Sequence, residues 1–297
     1  MASAVMECVP NVSEGRDAAV LARLGDAIRG VPGVTLMDVH RDPDHHRSVF
    51  SFLGAPAEVE RAALALAGAV VATIDMRRHA GVHPRVGALD VLPFVPLRAC
   101  GLEDAVAVAR RAGRAIGERH GLPVYFYGAA ATRPERRALR ALRRGQYEEL
   151  ARRLAAPDGA PDAGPARFDA RTGAVLVGAR PVLVAFNVEL AASDVEAARE
   201  IARAVRESSG GLPGVQAMGV WLATRGVAQV SMNLVDLGTT PIPAAFDRVS
   251  EEAARRGIAI AQSELVGLAP RAAFAGRDPA SVGLAALGAE RLLDSWL

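Results

Sequence analysis

Histidine and arginine are concentrated in one short segment, Arg77 to Arg85, which reads RRHAGVHPR. His79 and His83 lie four residues apart, a spacing that would place both imidazoles on one side of a helix. Gly81 and Pro84 argue against a helix, because proline has no backbone N–H and disfavours helical geometry at the residue before it. The segment is therefore predicted to be a loop that attracts anions and transfers protons.

A second polar segment has a similar composition. It runs from Asp38 to Arg47, reads DVHRDPDHHR, and lies on a predicted hairpin that could face the same cleft as the first segment. Five of the six histidines of the chain fall between Asp38 and Arg85. A single histidine is more often a solvated surface residue, but this clustering leaves a functional site and a surface loop as equal alternatives on the residues alone.

Metal catalysis is a further alternative. The two segments contain enough histidine and aspartate to supply three ligands to Zn²⁺ or Mn²⁺, as a metal-dependent hydrolase would require. No HExxH pattern is present, and the neighbouring arginines would repel a cation, so a site without metal is favoured. The sequence also lacks a G-x-S-x-G elbow, a P-loop and a dinucleotide fingerprint. Acid–base chemistry on an organic ligand, without metal and without nucleotide, is the prediction.

The composition is that of a globular protein. The chain has 297 residues, of which 51% are hydrophobic and 23% charged, so one large or two moderate domains are expected. The net charge of +2, with no arginine run interleaved with aromatic residues, gives no reason to expect a nucleic acid partner. The arginines from Arg136 to Arg144 have helical spacing and are predicted to form a solvated helix face, with binding of a polyanionic tail as the alternative.

Cysteine usage and hydropathy indicate the compartment. Cys8 and Cys100 are too few for a disulfide framework or a thiolate metal site. The first residues lack the apolar core of a signal peptide, and no window reaches about 18 uninterrupted apolar residues. We therefore expect a cytoplasmic protein that does not bind a membrane.

The elements that must position the two polar segments occur in two similar series. The first series has strands at 5–9, 34–39, 48–53 and 88–97, helices at 18–28 and 57–74, and then a helix at 102–118, a strand at 124–127 and an arginine-rich helical stretch at 134–154. The second series has strands at 182–190, 215–222, 228–235 and 258–266, helices at 194–207 and 243–256, and a helical remainder at 270–297. Pro93 and Pro96 are expected to place their strand at a sheet edge or in a short pairing.

Both series have the order β-α-β-β-α-β. The predicted fold class is therefore α+β, with two ferredoxin-like (βαββαβ) subdomains whose β-sheets face each other and whose helices lie on the outer faces. The predicted domains are residues 1–178, which contain the histidine-rich loop, and residues 179–297. Residues 156–173 are rich in glycine and proline and are predicted to be a linker or a functional loop. A cleft between the sheets would suit an elongated ligand.

Several segments of the sequence resemble one known family. They read ECVPNVSEGRD (7–17), DPDHHRSVFSFLG (42–54), IDMRRHAGVHPRVGALDVLPFVP (74–96), PVYFYGAA (123–130), VGAR (177–180), AFNVEL (185–190), AQVSMNLVD (228–236) and SELVGLAP (263–270). Along almost its whole length the chain is similar to the formiminotransferase domain of the glutamate formimidoyltransferase family, and the RHxGxHPRxGALD run is the most specific part. In animals this family is usually fused to a cyclodeaminase domain. The chain ends too early to contain one, so we expect a stand-alone protein without deaminase activity.

The resemblance implies a folate tunnel between two facing sheets, a homodimer, and small molecules as partners. It places the family's catalytic histidine at His83. The family's folate-binding stretch corresponds to Gly164, Pro165, Ala166, Arg167, Phe168, Asp169, Ala170, Arg171, Thr172 and Gly173. An aspartate that assists the catalytic histidine in the family aligns with His40. Either Asp38 or Asp42 replaces that aspartate, or the chemistry of this chain is altered.

The function expected from the resemblance is transfer of a formimidoyl group between N-formimino-L-glutamate and tetrahydrofolate, giving 5-formimidoyltetrahydrofolate and L-glutamate in histidine degradation. His83 would carry protons between the two amines, oriented by His40 or a nearby aspartate. Arg78, His79 or Arg85 would hold a substrate carboxylate. Tetrahydrofolate would be a co-substrate. The alternatives are a folate-dependent one-carbon transferase or 5-formyltetrahydrofolate-cyclising enzyme with another substrate, a folate-binding protein without catalysis, and the metal-dependent hydrolase.

Overall fold

The computed structural model describes residues 3–297 and divides into two compact units between Pro181 and Val182. Each unit combines helices with its own β-sheet and its own hydrophobic core, so the predicted α+β class is confirmed. The boundary predicted from the sequence, between residues 178 and 179, lies inside the last strand of the first unit. In the described part of the chain, no helix has both the length and the apolar character needed to cross a membrane.

The first unit contains one large mixed sheet. Its strands are β1 (Val5–Cys8), β2 (Asn11–Val12), β3 (Val34–Asp42), β4 (Arg47–Gly54), β5 (Leu89–Arg98), β6 (Val124–Gly128) and β7 (Val175–Ala179). Its α-helices are α1 (Ala18–Arg29), α2 (Pro56–Thr73), α3 (Leu102–His120), α4 (Leu139–Leu142) and α5 (Leu150–Ala155). β1 and β2 are two parts of one interrupted strand that pairs with β4 and β5, and β3 extends the sheet beyond β4. β7 runs parallel to both of its neighbours, β5 and β6.

Strand β5 is an interior strand, although its two prolines were expected to place it at a sheet edge or in a short pairing. The backbone N–H of Val9 donates to the carbonyl oxygen of Pro93 (3.2 Å), so Pro93 lies opposite the interruption between β1 and β2. Pro96 pairs with Met6, where the register shifts between Val5 and Met6. The edge prediction was wrong because each proline faces an irregular position of the partner strand, where a missing N–H disturbs the ladder least.

The sheet of the first unit is apolar on both faces. Along β6, Phe126 belongs to the core that α1, α2 and α3 cover, whereas Tyr125 and Tyr127 belong to a smaller cluster on the opposite face. That second cluster also contains Leu142 of α4 and Leu154 of α5. We call residues 139–155, which include α4 and α5, the arm. The arm therefore covers the face of the sheet that the three long helices leave free.

Three elements differ from the prediction. The stretch 134–154, predicted as one helix, is broken into a 3-10 turn and the short helices of the arm, with left-handed backbone at Gly145 (φ 75°) and Gln146 (φ 51°) between them. Residues 270–297, predicted as helical, form only short 3-10 turns. Strand β7 was not predicted, although its apolar, Val-rich run is typical of a buried parallel strand.

The second unit is an antiparallel sheet covered on one face by two helices. Residues 182–297, all of them described, contain the strands β8 (Val184–Leu190), β9 (Val215–Leu222), β10 (Val227–Leu234) and β11 (Ile260–Val266) and the helices α6 (Val195–Val205) and α7 (Ile242–Ala254). The strands lie in the order β11-β8-β10-β9. The ferredoxin-like detail and the facing of the two sheets stay predictions.

The face of the second sheet that its helices do not cover is polar. Glu189 on β8 and Gln229 on β10 are buried there. Arg225, from the turn before β10, pairs with Glu189 and with Glu264 (3.2 Å). Asn187 donates from Nδ2 to Glu264 (3.0 Å). The two carboxylates are thus held by donors of their own sheet, as buried charges require.

Gly219 allows helix α6 to lie directly on strand β9. A Cβ atom at this position would lie 2.3 Å from the backbone N of Arg199 and 2.4 Å from the backbone C of Ala198, both in α6. We predict that Gly219→Ala lowers the free energy of unfolding by about 1–3 kcal/mol, because a helix backbone cannot move aside as a flexible side chain can. The midpoint of chemical denaturation measures this loss.

The matched control is Gly238→Ala in the same unit, where the nearest atom to an added Cβ is 3.5 Å away. This variant should unfold at nearly the same denaturant concentration as the unmodified protein. Equal denaturation midpoints for both variants would show that the backbone of α6 does not lie this close to Gly219 of β9.

Candidate functional site

The turn between β3 and β4 packs tightly against residues 79–86, which we call the histidine loop. The backbone N–H of Val82 donates to the carbonyl oxygen of Asp44 in the turn (3.1 Å). Gly81 has no room for a side chain, because a Cβ atom there would lie 2.3 Å from the carbonyl oxygen of His45. The two histidine-bearing segments of the sequence are therefore in direct contact.

Asp90, at the start of β5, is the centre of a buried ion network. Its side chain has no exposure, and its Oδ2 accepts from Arg47 Nη1 (2.6 Å) and from Arg143 Nη2 (2.5 Å). Its Oδ1 accepts from the backbone N–H of Val86 in the histidine loop (2.8 Å). Burial alone would raise the pKa of Asp90, but Arg143 and Arg47 outweigh it and lower that pKa below its usual value. One carboxylate thus joins β4, β5, the histidine loop and the arm.

The guanidinium of Arg47 remains charged. Burial lowers the pKa of Arg47 to about 10, which is still far above neutral pH, and Asp90 opposes that fall. Arg47 also donates from Nε and Nη2 to the side-chain oxygen of Asn11 (3.0 and 2.7 Å). The network therefore carries two positive charges and one negative charge.

The solvated arginine face expected from Arg136 to Arg144 is not observed at two of its positions. Arg143 pairs with the buried Asp90, and Arg136 is buried in an ion pair with Asp162 (2.8 Å). The prediction was wrong for these two residues because the helical spacing on which it was based does not persist through the broken stretch. A buried guanidinium must be paired, and both are.

His83 lies beside this network. Its Nδ1 is 2.7 Å from the carbonyl oxygen of Pro84. Because a carbonyl oxygen only accepts, Nδ1 carries the hydrogen, and Nε2 of the neutral ring keeps a free lone pair. Burial, together with the charges of Arg47 and Arg143, lowers the pKa of His83 well below its ordinary value. His83 is therefore a neutral imidazole at neutral pH whose Nε2 can accept a proton.

His79 and His46 form a stacked pair that fixes the histidine loop. Their ring centroids are 4.3 Å apart and their planes differ by 6°. His79 donates from Nε2 to the carbonyl oxygen of His46 (2.7 Å), and its Nδ1 accepts from Arg85 Nε (3.2 Å). Burial lowers the pKa of His79 to about 4. Both of its ring nitrogens are used within the protein.

Arg85 and Arg78, both predicted to hold substrate, differ in their surroundings. Arg85 is buried and donates to both oxygens of Glu148 in the arm (2.9 and 2.7 Å), and its guanidinium lies 5.5 Å from the ring centroid of Tyr147. Arg78 is exposed, and its side chain forms no hydrogen bond or ion pair with any described residue. Of these two, only Arg78 has a guanidinium that is free for a ligand.

Glu14 completes the support of the turn. Its Oε1 accepts from the backbone N–H groups of Arg16 (2.7 Å) and Asp17 (2.9 Å), and His46 Nε2 lies 3.4 Å away. Burial would raise the pKa of Glu14, but these donors outweigh it and lower the pKa to about 2. Asp17 in turn caps α1 by accepting from two backbone N–H groups of its first turn. An ionised Glu14 thus connects the start of α1 to the histidine pair.

His40, the predicted partner of His83, lies on β3 opposite Val49 of β4. The imidazole described next to His83 is that of His45, with ring centroids 5.6 Å apart. His45 is buried, and its backbone N–H donates to Asp42 Oδ1 (2.7 Å). The orienting role of His40 stays a prediction.

The predicted folate stretch, residues 164–173, is anchored next to the histidine loop. The carbonyl oxygen of Thr172 accepts from the backbone N–H of Ala88 (2.9 Å). Gly173 has a φ of 69°, and a Cβ there would lie 2.3 Å from the carbonyl oxygen of Val86. Phe168 contacts the ring of Tyr147 in the arm, with centroids 5.5 Å apart. The two predicted functional loops are therefore neighbours, although about 80 residues separate them in sequence.

Sequence reasoning missed several residues of this site. Asp90, Arg47, Arg143 and Glu14 were given no role in it. The signal that could have indicated Asp90 is its place in the specific RHxGxHPRxGALD run. In the described part of the chain, no group of three or more His, Cys, Asp or Glu side chains is arranged to hold a metal ion.

Comparison with known proteins gives a consistent family. The model of the N-terminal subdomain of the formiminotransferase domain matches residues 5–180, and that of the formiminotransferase domain matches residues 185–277. The chain is 40% identical to the glutamate formimidoyltransferase of Streptococcus pyogenes serotype M1 over 91% of this chain and 90% of that protein. It is 43% identical to the glutamate formimidoyltransferase of Thermoplasma acidophilum over 91% and 89%. It is 42% identical to the formimidoyltransferase-cyclodeaminase of Gallus gallus over 91% of this chain and 51% of that protein.

The protonation state of His83 can be measured directly. We expect ¹⁵N chemical shifts to show a neutral ring with hydrogen on Nδ1 at pH 6.5, the usual midpoint of histidine titration. The reason is the lowered pKa and the acceptor at Pro84. The His83→Asn variant assigns the signals by removing them. A half-protonated ring at pH 6.5 would contradict the environment described for His83.

His79 should make the protein sensitive to acid. Its pKa is about 4 in the folded state and near 6.5 when unfolded, so the unfolded chain binds the extra proton between these values and stability falls as pH falls. Glutamine at position 79 keeps an amide N–H that can donate to His46 but does not titrate. We therefore expect the free energy of unfolding of His79→Gln to fall by about 1–2 kcal/mol less than that of the unmodified protein between pH 7 and pH 4.5, after allowance for partial solvent exposure. Denaturation at both pH values measures the difference. An identical acid-induced loss with and without His79 would refute this account.

Proposed function

The chain belongs to the formiminotransferase family, and from this premise we propose that it transfers a formimidoyl group between N-formimino-L-glutamate and tetrahydrofolate. The products are 5-formimidoyltetrahydrofolate and L-glutamate, a step of histidine degradation. The observation that carries this proposal is the free lone pair on Nε2 of a neutral His83. The relatives named glutamate formimidoyltransferase support the choice of substrates.

The reaction requires one group that both accepts and donates a proton. N5 of tetrahydrofolate attacks the formimidoyl carbon of formiminoglutamate, and a new C–N bond forms. Nε2 of His83 takes the proton that N5 loses and delivers it to the glutamate nitrogen as the old C–N bond breaks. The neutral imidazole accepts the proton in the first step and, as the imidazolium, donates it in the second; general acid–base assistance of this kind contributes typically 10²–10⁴-fold in rate.

The surrounding residues keep this imidazole in place. In the proposal, Pro84 and the Asp90 network fix the tautomer and position of His83, while His40 supports its orientation from β3. His79 and Arg85 act on the substrate chiefly by holding the loop, since their nitrogens are engaged by His46 and Glu148. Arg78, with its free guanidinium, is the member of the predicted set that can meet a substrate carboxylate directly.

Residues 164–173 are the proposed folate-binding segment. Support comes from their anchoring at Ala88 and Val86, which brings the segment to the end of the histidine loop. Gly164 and Arg167 are exposed, and Phe168 is half-buried against Tyr147, so the segment offers backbone groups, a cation and an aromatic ring to an elongated ligand. A cytoplasmic location and a homodimer belong to the same proposal.

Removing the proton carrier tests the function. We expect His83→Asn to lower kcat by about 10²–10⁴-fold, because the asparagine amide can still donate to Pro84 but offers no base in place of Nε2. Isothermal titration with 5-formyltetrahydrofolate should give an unchanged Kd. The matched control, His120→Asn at the end of α3, should retain full activity.

The outcomes separate the alternatives. Full turnover by His83→Asn would end the assignment of His83. Failure of the unmodified protein to transfer the group from formiminoglutamate, with tight folate binding retained, would favour a folate-dependent enzyme with another substrate. That alternative is motivated by His40, which stands where the family has an aspartate.

A further inference from the structure

The Arg143 side chain has donors that the protein does not use. It gives Asp90 one hydrogen bond from Nη2, whereas its Nε is buried without a hydrogen-bond partner among residues 3–297. A guanidinium has five N–H donors, and leaving one of them buried and unsatisfied costs free energy. Arg47 differs, because all three of its nitrogens bond to Asp90 or Asn11.

The charges around Arg143 do not balance. Arg47 and Arg143 share the single carboxylate of Asp90, which leaves one positive charge in a largely buried place, with the side chains 10% and 14% exposed. Buried charges in proteins are normally paired. A surplus guanidinium charge on a side chain that is still 14% exposed is suited to receive an anion.

This surplus charge lies next to the proposed proton carrier. Asp90, which Arg143 contacts, also accepts from the backbone of Val86, three residues after His83. The charge of Arg143 is among the causes that lower the pKa of His83, which is consistent with their closeness. An anion bound by Arg143 would therefore lie in the neighbourhood of the His83 side chain.

The chemistry of the substrate identifies that anion. In formiminoglutamate the reacting nitrogen and the α-carboxylate are attached to the same carbon atom, so a nitrogen held at His83 brings the α-carboxylate with it. The glutamate tail of a folate, in contrast, lies at the far end of that ligand from N5. The shared chemistry is a glutamyl carboxylate, but only the amino-acid substrate must place one beside the reacting atoms.

We propose that Arg143, supported by Arg47 through Asp90, binds the α-carboxylate of the amino-acid substrate and so selects α-amino acids. This inference rests on the proposed formimidoyl transfer. It gives the arm a role in the site, since Arg143 directly follows α4. It also explains why a guanidinium with an unused donor is kept in a place where an apolar side chain could pack.

A pair of substrates tests the proposal. The formimidoyl derivative of 4-aminobutyrate keeps the distal carboxylate of formiminoglutamate but lacks the α-carboxylate. We expect Arg143→Gln to lower kcat/KM for formiminoglutamate by roughly 10- to 100-fold more than it lowers kcat/KM for the 4-aminobutyrate derivative, the usual value of a charge-assisted hydrogen bond. The Kd for 5-formyltetrahydrofolate should not change.

Controls separate binding from structural support. Arg140→Gln, on the exposed side of α4, should behave as the unmodified protein with both substrates. If Arg143→Gln folds poorly, Arg143→Lys takes its place. The lysine keeps the charge and should retain part of the preference for formiminoglutamate. An equal loss of kcat/KM on both substrates would overturn the proposal in favour of a structural role. Weaker folate binding with an unchanged substrate preference would assign Arg143 to the folate tail instead.

Failure of the proposed formimidoyl transfer can be distinguished from failure of the inference about Arg143. If the unmodified protein transfers no formimidoyl group from formiminoglutamate, the proposed function and this inference are both rejected. If it does transfer the group while Arg143→Gln keeps its full preference for the α-carboxylate, only the inference is rejected.

Discussion

The carboxylate of Asp90 is the interaction on which the site depends. It has no exposure and accepts from two guanidiniums and one backbone N–H, which belong to β4, the arm and the histidine loop. Removal of this one carboxylate would leave Arg47 and Arg143 as buried cations without a counter-ion, a change that typically costs several kcal/mol. The position of His83 follows from this pairing, because its loop is fixed at Val86.

Two titratable groups are kept in opposite states a short distance apart. Donors hold Glu14 ionised with a pKa of about 2, while burial keeps His79 neutral with a pKa of about 4. His46 contacts both Glu14 and His79, so these three side chains link the start of α1 to the histidine loop. Neither group therefore changes its charge near neutral pH, so the charges of Glu14 and His79 stay constant while His83 exchanges protons.

The sequence predicted the helices, strands and loops better than the contacts between them. The order of strand-like and helix-like segments gave the class of fold, and Gly81 and Pro84 gave the histidine loop, because each signal is local. Strand β7 and the interior place of β5 were missed, since both depend on partners far along the chain. The roles of Asp90 and Arg143 were missed for the same reason: a single carboxylate has no local pattern that reveals which arginine it will meet.

The arm has a consequence for the order in which the molecule folds. Its helices α4 and α5 have only four and six residues, too short to persist alone in water. Their order therefore depends on docking against the sheet, which includes a pairing of residues 53 positions apart in sequence. A late intermediate with a complete sheet and an undocked arm would be native in most of its backbone and still chemically inert, so recovery of activity should be the last event of refolding.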